Sequence, residues 1–335
     1  MKGTKKELAI IILNWNGRKV LEEFLPSVAR HSISERSDLF VADNGSGDDS
    51  VEYVEKNFPE VKIIRFKKNY GFSEGYNRAI KETGYPYTLL LNSDVAVKER
   101  WWEPLLDLIE SDEKIGAVQP KIKSYREPEK FEYAGAAGGL IDRLGFPYCR
   151  GRVFDKVAVD EGQYDGEPAE IAWASGAALL VNTEVYLKVG GLDRRFFAHM
   201  EEIDLCWRIK AAGYRIMFVP DSEVFHLGGA SLNYGNPQKT YLNFRNNLLL
   251  LHKNLPKKIG KRKLFVRRLV DSFAFLMFAL KADMKNAGAV LRAHNDFRKM
   301  KKLYTELPEN DIMSSLPGTG RSILLSDFFR KKPGI

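Results

Sequence analysis

The chain has 335 residues, of which 44% are hydrophobic, and a formal net charge of +8. That length can hold one sizeable core or two unequal parts. Its two cysteines, Cys149 and Cys206, exclude a disulfide framework and a four-thiolate zinc site. No stretch has the length of a transmembrane helix, and the apolar run 8–13 is too short for a signal-peptide core, so a cytoplasmic location is expected.

The basicity is local. Fourteen Lys or Arg and three Asp fall within 256–302, giving that segment about +11 and leaving the rest slightly acidic.

In chain order, 8–13 (LAIIIL) reads as a buried parallel strand, 20–31 as a helix and 38–42 as a second strand. A helix over 48–58, a strand over 61–66 and a helix over 73–83 follow. A fourth strand, 89–91, opens the stretch LLLNSDVAV. Strands alternating with helices predict a parallel, doubly wound sheet, whose strand ends share one ligand-binding edge. Those ends carry Asn14-Trp15-Asn16-Gly17, Asp43-Asn44-Gly45-Ser46, Asn69-Tyr70-Gly71 and Asn92-Ser93-Asp94. Each alone is ordinary turn chemistry. Together they favour a site. Asp94 reads either as a metal ligand or as the cap of a helix over 99–110. Neither a G-x-G-x-x-G nor a Walker A sequence occurs, which argues against a dinucleotide dehydrogenase and a P-loop NTPase.

Residues 116–120 predict another strand, and 121–166 a loop-rich insertion or small hairpins over the site. The run 171–181 breaks at Ser175-Gly176. A helix from Glu202 places three acids, Glu201, Glu202 and Asp204, in its first turn, with Asp204 and Arg208 as an i,i+4 pair. Acids against the preceding aromatic residues would have raised pKa values suited to proton transfer. His226, before Gly228-Gly229, is a second metal-ligand candidate. From 256 to 302, Lys and Arg surround the apolar run 273–280 (FAFLMFAL). This reads as a helix lying on an anionic membrane surface, against the alternative of a subdomain with a solvated basic face. No motif supports nucleic-acid binding.

Taken in order, these motifs resemble the inverting family 2 glycosyltransferases with the GT-A fold, in particular the rhamnosyltransferase-like members. The matching residues include Leu13-Asn14-Trp15-Asn16, Ala42-Asp43-Asn44-Gly45-Ser46, Asn69-Tyr70-Gly71-Phe72 with Asn77, and Asn92-Ser93-Asp94. Further on they include Ser175-Gly176, Gly190-Gly191-Leu192-Asp193, Glu201-Glu202-Ile203-Asp204 with Arg208, and Phe225-His226. The resemblance implies a Rossmann-like, mostly parallel sheet flanked by helices. It places the glycosyltransferase domain at 1–235, with a nucleotide-sugar half (1–97) and an acceptor and catalytic half (98–235). A basic helical extension (236–335) would follow.

It further implies a dTDP- or UDP-linked sugar donor, rhamnose among the candidate sugars, a Mg or Mn ion, and a glycan or lipid-linked acceptor in cell-surface polysaccharide synthesis at the inner membrane face. Asn14, Trp15, Asn16, Asp43, Asn44, Asn69, Gly71, Asn77, Asn92, Ser93 and Asp94 would line the donor, and Trp173, Ser175 and Gly176 the acceptor. Asp94 and His226 would hold the metal, with Asn92 replacing the first acid of the family's D-x-D. Glu202 stands at the base position, with Asp204 and Glu201 beside it as alternatives. A sugar nucleotidyltransferase and a non-catalytic nucleotide- or glycan-binding module are the competing functions. The former should carry a Gly-rich basic loop after the first strand, and residues 14–17 lack one.

Overall fold

The computed structural model describes residues 6–228 and 235–324. Its first part alternates strand and helix: β1 (Leu8–Asn14), α1 (Arg18–Ser32), β2 (Ser37–Asp43), α2 (Ser50–Asn57), β3 (Lys62–Arg65), α3 (Phe72–Thr83) and β4 (Tyr87–Leu91). β1 pairs in parallel with both β2 and β4, and β2 with β3. β1 is buried on both faces, as a central parallel strand must be. Leu8, Ile10 and Ile12 enter one core with α1, while Ala9 and Ile11 enter the other with α3.

Beyond Leu91 the sheet becomes mixed. The chain continues through β5 (Val95–Val97), α4 (Glu103–Ser111), β6 (Ile115–Ser124), β7 (Gly139–Ile141), β8 (Pro147–Cys149), β9 (Arg152–Val153), β10 (Lys156–Val157) and β11 (Ala169–Glu170). It then forms β12 (Ala178–Asn182), α5 (Thr183–Lys188), α6 (Glu201–Ala211) and β13 (Arg215–His226). The main sheet runs β11-β13-β6-β12-β4-β1-β2-β3, with β5 paired to β13. β12 lies antiparallel to β4 and β6. β6 and β13 pair in parallel again, so the expected mostly parallel sheet is interrupted by the antiparallel strand β12 between its two parallel parts. β5 also removes the helix-cap reading of Asp94: a strand intervenes, and α4 begins at Glu103 behind Trp102.

The expected hairpins over 121–166 are a small antiparallel sheet, β10-β9-β8-β7. It is pinned down where Gly139 lies against the Trp173 ring, a spacing that leaves no room for a Cβ. After residue 235 come α7 (Pro237–Asn254), α8 (Lys257–Leu280) and α9 (Met284–Met300). Leu248, Leu249, Leu250 and Leu251 of α7 are fully buried in the same core as Leu205, Trp207 and Ile141. Each contributes about 2 kcal/mol of transfer free energy. The boundary at 235 thus marks a change of composition, with no break in packing. The second glycine of Gly228-Gly229 lies outside the described residues.

Candidate active site

The ends of β1 and β2 are knit together by side chains. Asn14 Nδ2 donates to Asp43 Oδ1 at 3.1 Å and to Ser50 Oγ at 2.9 Å, and Asp43 Oδ2 accepts from the Ser46 amide at 3.1 Å. Asn16, in a left-handed conformation (φ +48°), accepts from the Gly47 amide at 2.7 Å. Beside this cradle Trp15 stands 56% exposed, a free aromatic face at the strand edge.

At the end of β4, Asp94 is buried and its Oδ1 lies 3.1 Å from His226 Nε2 at the end of β13. β5 brings the two together: its pairing sets Val95 opposite His226. Asn92 Nδ2 is 3.3 Å from the same imidazole nitrogen. On the other side of the ring, His226 Nδ1 faces Glu132 Oε2 at 3.4 Å. Burial by itself would lower the imidazole pKa, but the two flanking carboxylates raise it to about 10. Burial pushes Asp94 up, and the His226 contact more than reverses this and holds it below its usual value.

The donor set fits a divalent cation. Cis ligands of a six-coordinate ion with bonds of about 2.1 Å lie about 3 Å apart, the spacing of Asp94 Oδ1 and His226 Nε2. A carboxylate behind the other ring nitrogen is how ligating histidines are commonly oriented. No group of three or more such side chains that could hold a metal ion occurs among the described residues. Two protein ligands leave the other positions for phosphate oxygens and water, the usual arrangement for Mg.

The third part is the start of α6. Glu201 is buried, Glu202 is half-buried, and Oε2 of each is shielded from solvent with no hydrogen-bond partner. Burial, together with the neighbouring Glu202 and Asp204 charges, raises Glu201 well above the usual carboxylate range. Burial raises Glu202 to about 7. The turn 175–177 joins this cluster to the strand edge. A Cβ on Gly176 would sit 3.8 Å from Glu202 Cβ, and the Asn92 amide donates to Ala177 O at 3.0 Å. The backbone of Asn92 and the raised-pKa carboxylate of Glu202 thus meet the same short turn.

Residues 9–162 match the model of glycosyl transferase family 2. N-acetylglucosaminyl-diphospho-decaprenol L-rhamnosyltransferase of Mycobacterium tuberculosis (strain ATCC 25618 / H37Rv) is 29% identical over 239 residues, spanning 65% of this chain and 75% of the relative. The first half of the chain is similar to glycosyltransferase family 2, and the protein is a glycosyltransferase. Rhamnosyltransferase WbbL of Escherichia coli (strain K12) is 26% identical over 166 residues, 47% of this chain and 61% of that protein.

Among solved structures, GalNAc-T7 with UDP, GalNAc and Mn2+ superposes with a TM-score of 0.60 at 16% identity. It covers 92% of this chain, which spans only 59% of that one. S. aureus TarS 1–349 superposes with a TM-score of 0.56 at 15% identity, over 87% of this chain and 80% of the other. These structures establish the GT-A fold of the glycosyltransferase.

Several expected site residues serve the glycosyltransferase differently. Asp204 is no base. It is fully buried and accepts from Arg208 Nη2 at 2.7 Å, Lys253 Nζ at 2.7 Å and Asn254 Nδ2 at 2.9 Å, so its lone pairs are engaged by two cations and an amide. Trp173 and Ser175 offer nothing to an acceptor. The buried Trp173 indole donates to Leu140 O at 2.9 Å, while Ser175 is buried with its hydroxyl bound to Ala134 O. Of that trio only Gly176 borders Glu202.

Asn44 folds the 69–71 turn, its Nδ2 donating to Asn69 Oδ1 at 3.0 Å and Gly71 O at 3.1 Å. Asn77 is likewise spent on the fold. Its Nδ2 donates to Leu192 O at 2.8 Å, and its Oδ1 accepts from the Tyr186 hydroxyl at 2.6 Å and the Leu192 amide at 3.0 Å. Ser93 sits in the turn between β4 and β5. Glu132 escaped the sequence reading because it lies in an irregular stretch with no period or motif. Lys253 and Asn254 escaped because their partner lies 49 and 50 residues away.

Proposed function

We propose that the protein transfers a sugar from a nucleoside-diphosphate donor to a hydroxyl of a lipid-linked or glycan acceptor, by direct displacement with inversion, in cell-surface polysaccharide synthesis. Asn14, Trp15, Asn16 and Asp43 receive the base and ribose. Asp94 and His226 hold a divalent cation, Mg or Mn, with Glu132 fixing the imidazole. Bound there, the cation offsets the charge that develops on the leaving diphosphate. Glu202 takes the proton of the acceptor hydroxyl. A carboxylate with a pKa near 7 is partly ionised at working pH and a far better base than an exposed glutamate. Burial and the neighbouring Glu202 and Asp204 charges push Glu201 upward as well, which favours its neutral form and limits repulsion in the pair.

The observation that carries this reading is the shielded Oε2 of Glu202 beside the 175–177 turn, whose Ala177 carbonyl accepts from the backbone N–H of Asn92, two residues before Asp94. A sugar nucleotidyltransferase has no use for such a base. The donor half is residues 1–97 and the catalytic half begins after it. The mycobacterial relative's name describes rhamnose transfer to a diphospho-decaprenol saccharide, which supports rhamnose from a dTDP- or UDP-linked donor and a lipid-diphosphate acceptor.

The same reading extends to a membrane surface on the cytoplasmic side. Phe265, Leu269, Phe273, Leu276 and Leu280 of α8, spaced for one helical face, are each more than half exposed. Lys257, Lys258, Lys261, Arg262, Arg268 and Lys281 are exposed around them. No described helix is long and apolar enough to cross a membrane. An apolar stripe rimmed by cations suits an anionic lipid surface.

The test is a thermal-shift panel of dTDP-, UDP- and GDP-linked sugars with Mn2+, followed by nucleoside-diphosphate release in the presence of a polyprenyl-diphosphate saccharide. Stabilisation by one nucleotide class and acceptor-dependent release are expected. No response to any donor would overturn the reading.

A further inference from the structure

Glu201 and Glu202 are not aimed by their own Oε2 atoms, which lack hydrogen-bond partners. Their position is inherited from the backbone that leads into α6. There Phe197, His199 and Met200 hold φ values of +69°, +67° and +72°. Left-handed backbone at non-glycine residues persists only where the surroundings over-determine it.

Those surroundings are supplied by α7. Asn246 is fully buried, and its Nδ2 lies 2.9, 2.8 and 2.7 Å from the carbonyl oxygens of Phe196, Ala198 and His199. Arg245 Nη2 donates to Phe196 O at 2.7 Å. Its Nε donates to Asn246 Oδ1 at 2.9 Å, which fixes the amide with its NH2 towards those carbonyls. Two turns later Lys253 and Asn254 hold Asp204 at 2.7 and 2.9 Å. Helix α7 therefore grips the chain on both sides of Glu201 and Glu202.

We propose that Arg245 and Asn246 are positioning residues for the catalytic carboxylate, holding the left-handed segment 197–200 in the conformation that aims Glu202 at the acceptor hydroxyl. The inference rests on Glu202 being the base. Arg245 and Asn246 act through backbone carbonyls at the entry to α6. Simple packing glue would change the melting temperature and leave turnover of the folded protein intact. A positioning clamp changes kcat and spares donor binding.

The experiment uses the full chain with Asn246→Asp, which keeps the shape and removes the amide donors, and Arg245→Lys, which keeps the charge and loses the fork. Measured are kcat and donor KM for nucleoside-diphosphate release, binding of dTDP or UDP with Mn2+ by calorimetry, and Tm. Asn246→Asp should lower kcat about 100-fold and Arg245→Lys about tenfold, while donor KM and nucleotide affinity stay within about threefold. A folded Asn246→Asp with kcat within about twofold of the parent would overturn the proposal, as would an equal loss of nucleotide affinity. If Asn246→Asp does not fold, Arg245→Lys decides: kcat within twofold of the parent overturns the proposal. Glu202→Gln runs alongside. Parent-like turnover there removes the base assignment itself, whereas an inactive Glu202→Gln beside a parent-like Asn246→Asp removes the clamp alone.

Discussion

Around His226 two buried carboxylates share one imidazole, whereas at the start of α6 two carboxylates have neither a cationic nor an imidazole partner. Asp94 and Glu132 flank His226, and the contact with the imidazole holds Asp94 below its usual value against burial. Glu201 and Glu202 have no such partner, and burial drives both upward. The contrast repeats within one helical turn. Asp204, two residues past Glu202, is held by Arg208, Lys253 and Asn254. Residue type does not separate these roles. A compensated carboxylate suits a ligand or a structural hub, and an uncompensated one suits a proton carrier.

The sharpest way to break this comparison is Glu202→Gln. It should lower kcat about 1,000-fold with nucleotide binding intact, measured by product release and calorimetry. The parent kcat should rise as pH passes about 7, because the base must be ionised. Stability should run the other way. The folded pKa lies above the unfolded value near 4.5, so the folded state loses stability as pH rises between the two. Glu202→Gln should therefore be the more stable protein at pH 8, by about 2 kcal/mol in denaturant melts.

Asp94→Asn should come next. It should lower Mn2+-dependent nucleotide affinity and turnover about 100-fold. Equal nucleotide binding with and without Mn2+ in both proteins would remove the metal role.

Asp204→Asn tests the other side of the contrast. It removes the ion pairs to Lys253 and Arg208, leaving Lys253 with Asp193 and Arg208 with backbone carbonyls, and should destabilise by about 3 kcal/mol in urea unfolding, while the folded fraction keeps its kcat within a few-fold. Lost turnover without lost stability would return the base role to Asp204. The smallest effect belongs to α8. Phe273→Asp should weaken binding to phosphatidylglycerol vesicles about tenfold without changing Tm or turnover of a soluble acceptor analogue.

Much of this was legible in the chain. β1, β2 and β4 announced themselves as short apolar runs ending in Asn or Asp, because a strand buried on both faces needs continuous apolar sequence. Asp94 and Glu202 stood out as acids beside such runs. Less legible were groups whose roles depend on distant partners. Asn44, Asn77, Trp173 and Ser175 carry the right atoms for a ligand, yet neighbouring loops consume them. Sequence pattern reports which groups are present and says nothing of which are already bonded.

By itself the sequence determined the alternating strands and helices, the shared edge, the order of motifs along it and the basic C-terminal stretch, all local consequences of periodicity and turn chemistry. The tertiary structure alone decided which of three neighbouring acids is held by cations and which are left with an unpartnered oxygen. That choice depends on Lys253 and Asn254 reaching Asp204 from α7, and on nothing reaching Oε2 of Glu202. Desolvation and long-range pairing set a carboxylate's chemistry, and both arise only when the chain closes on itself.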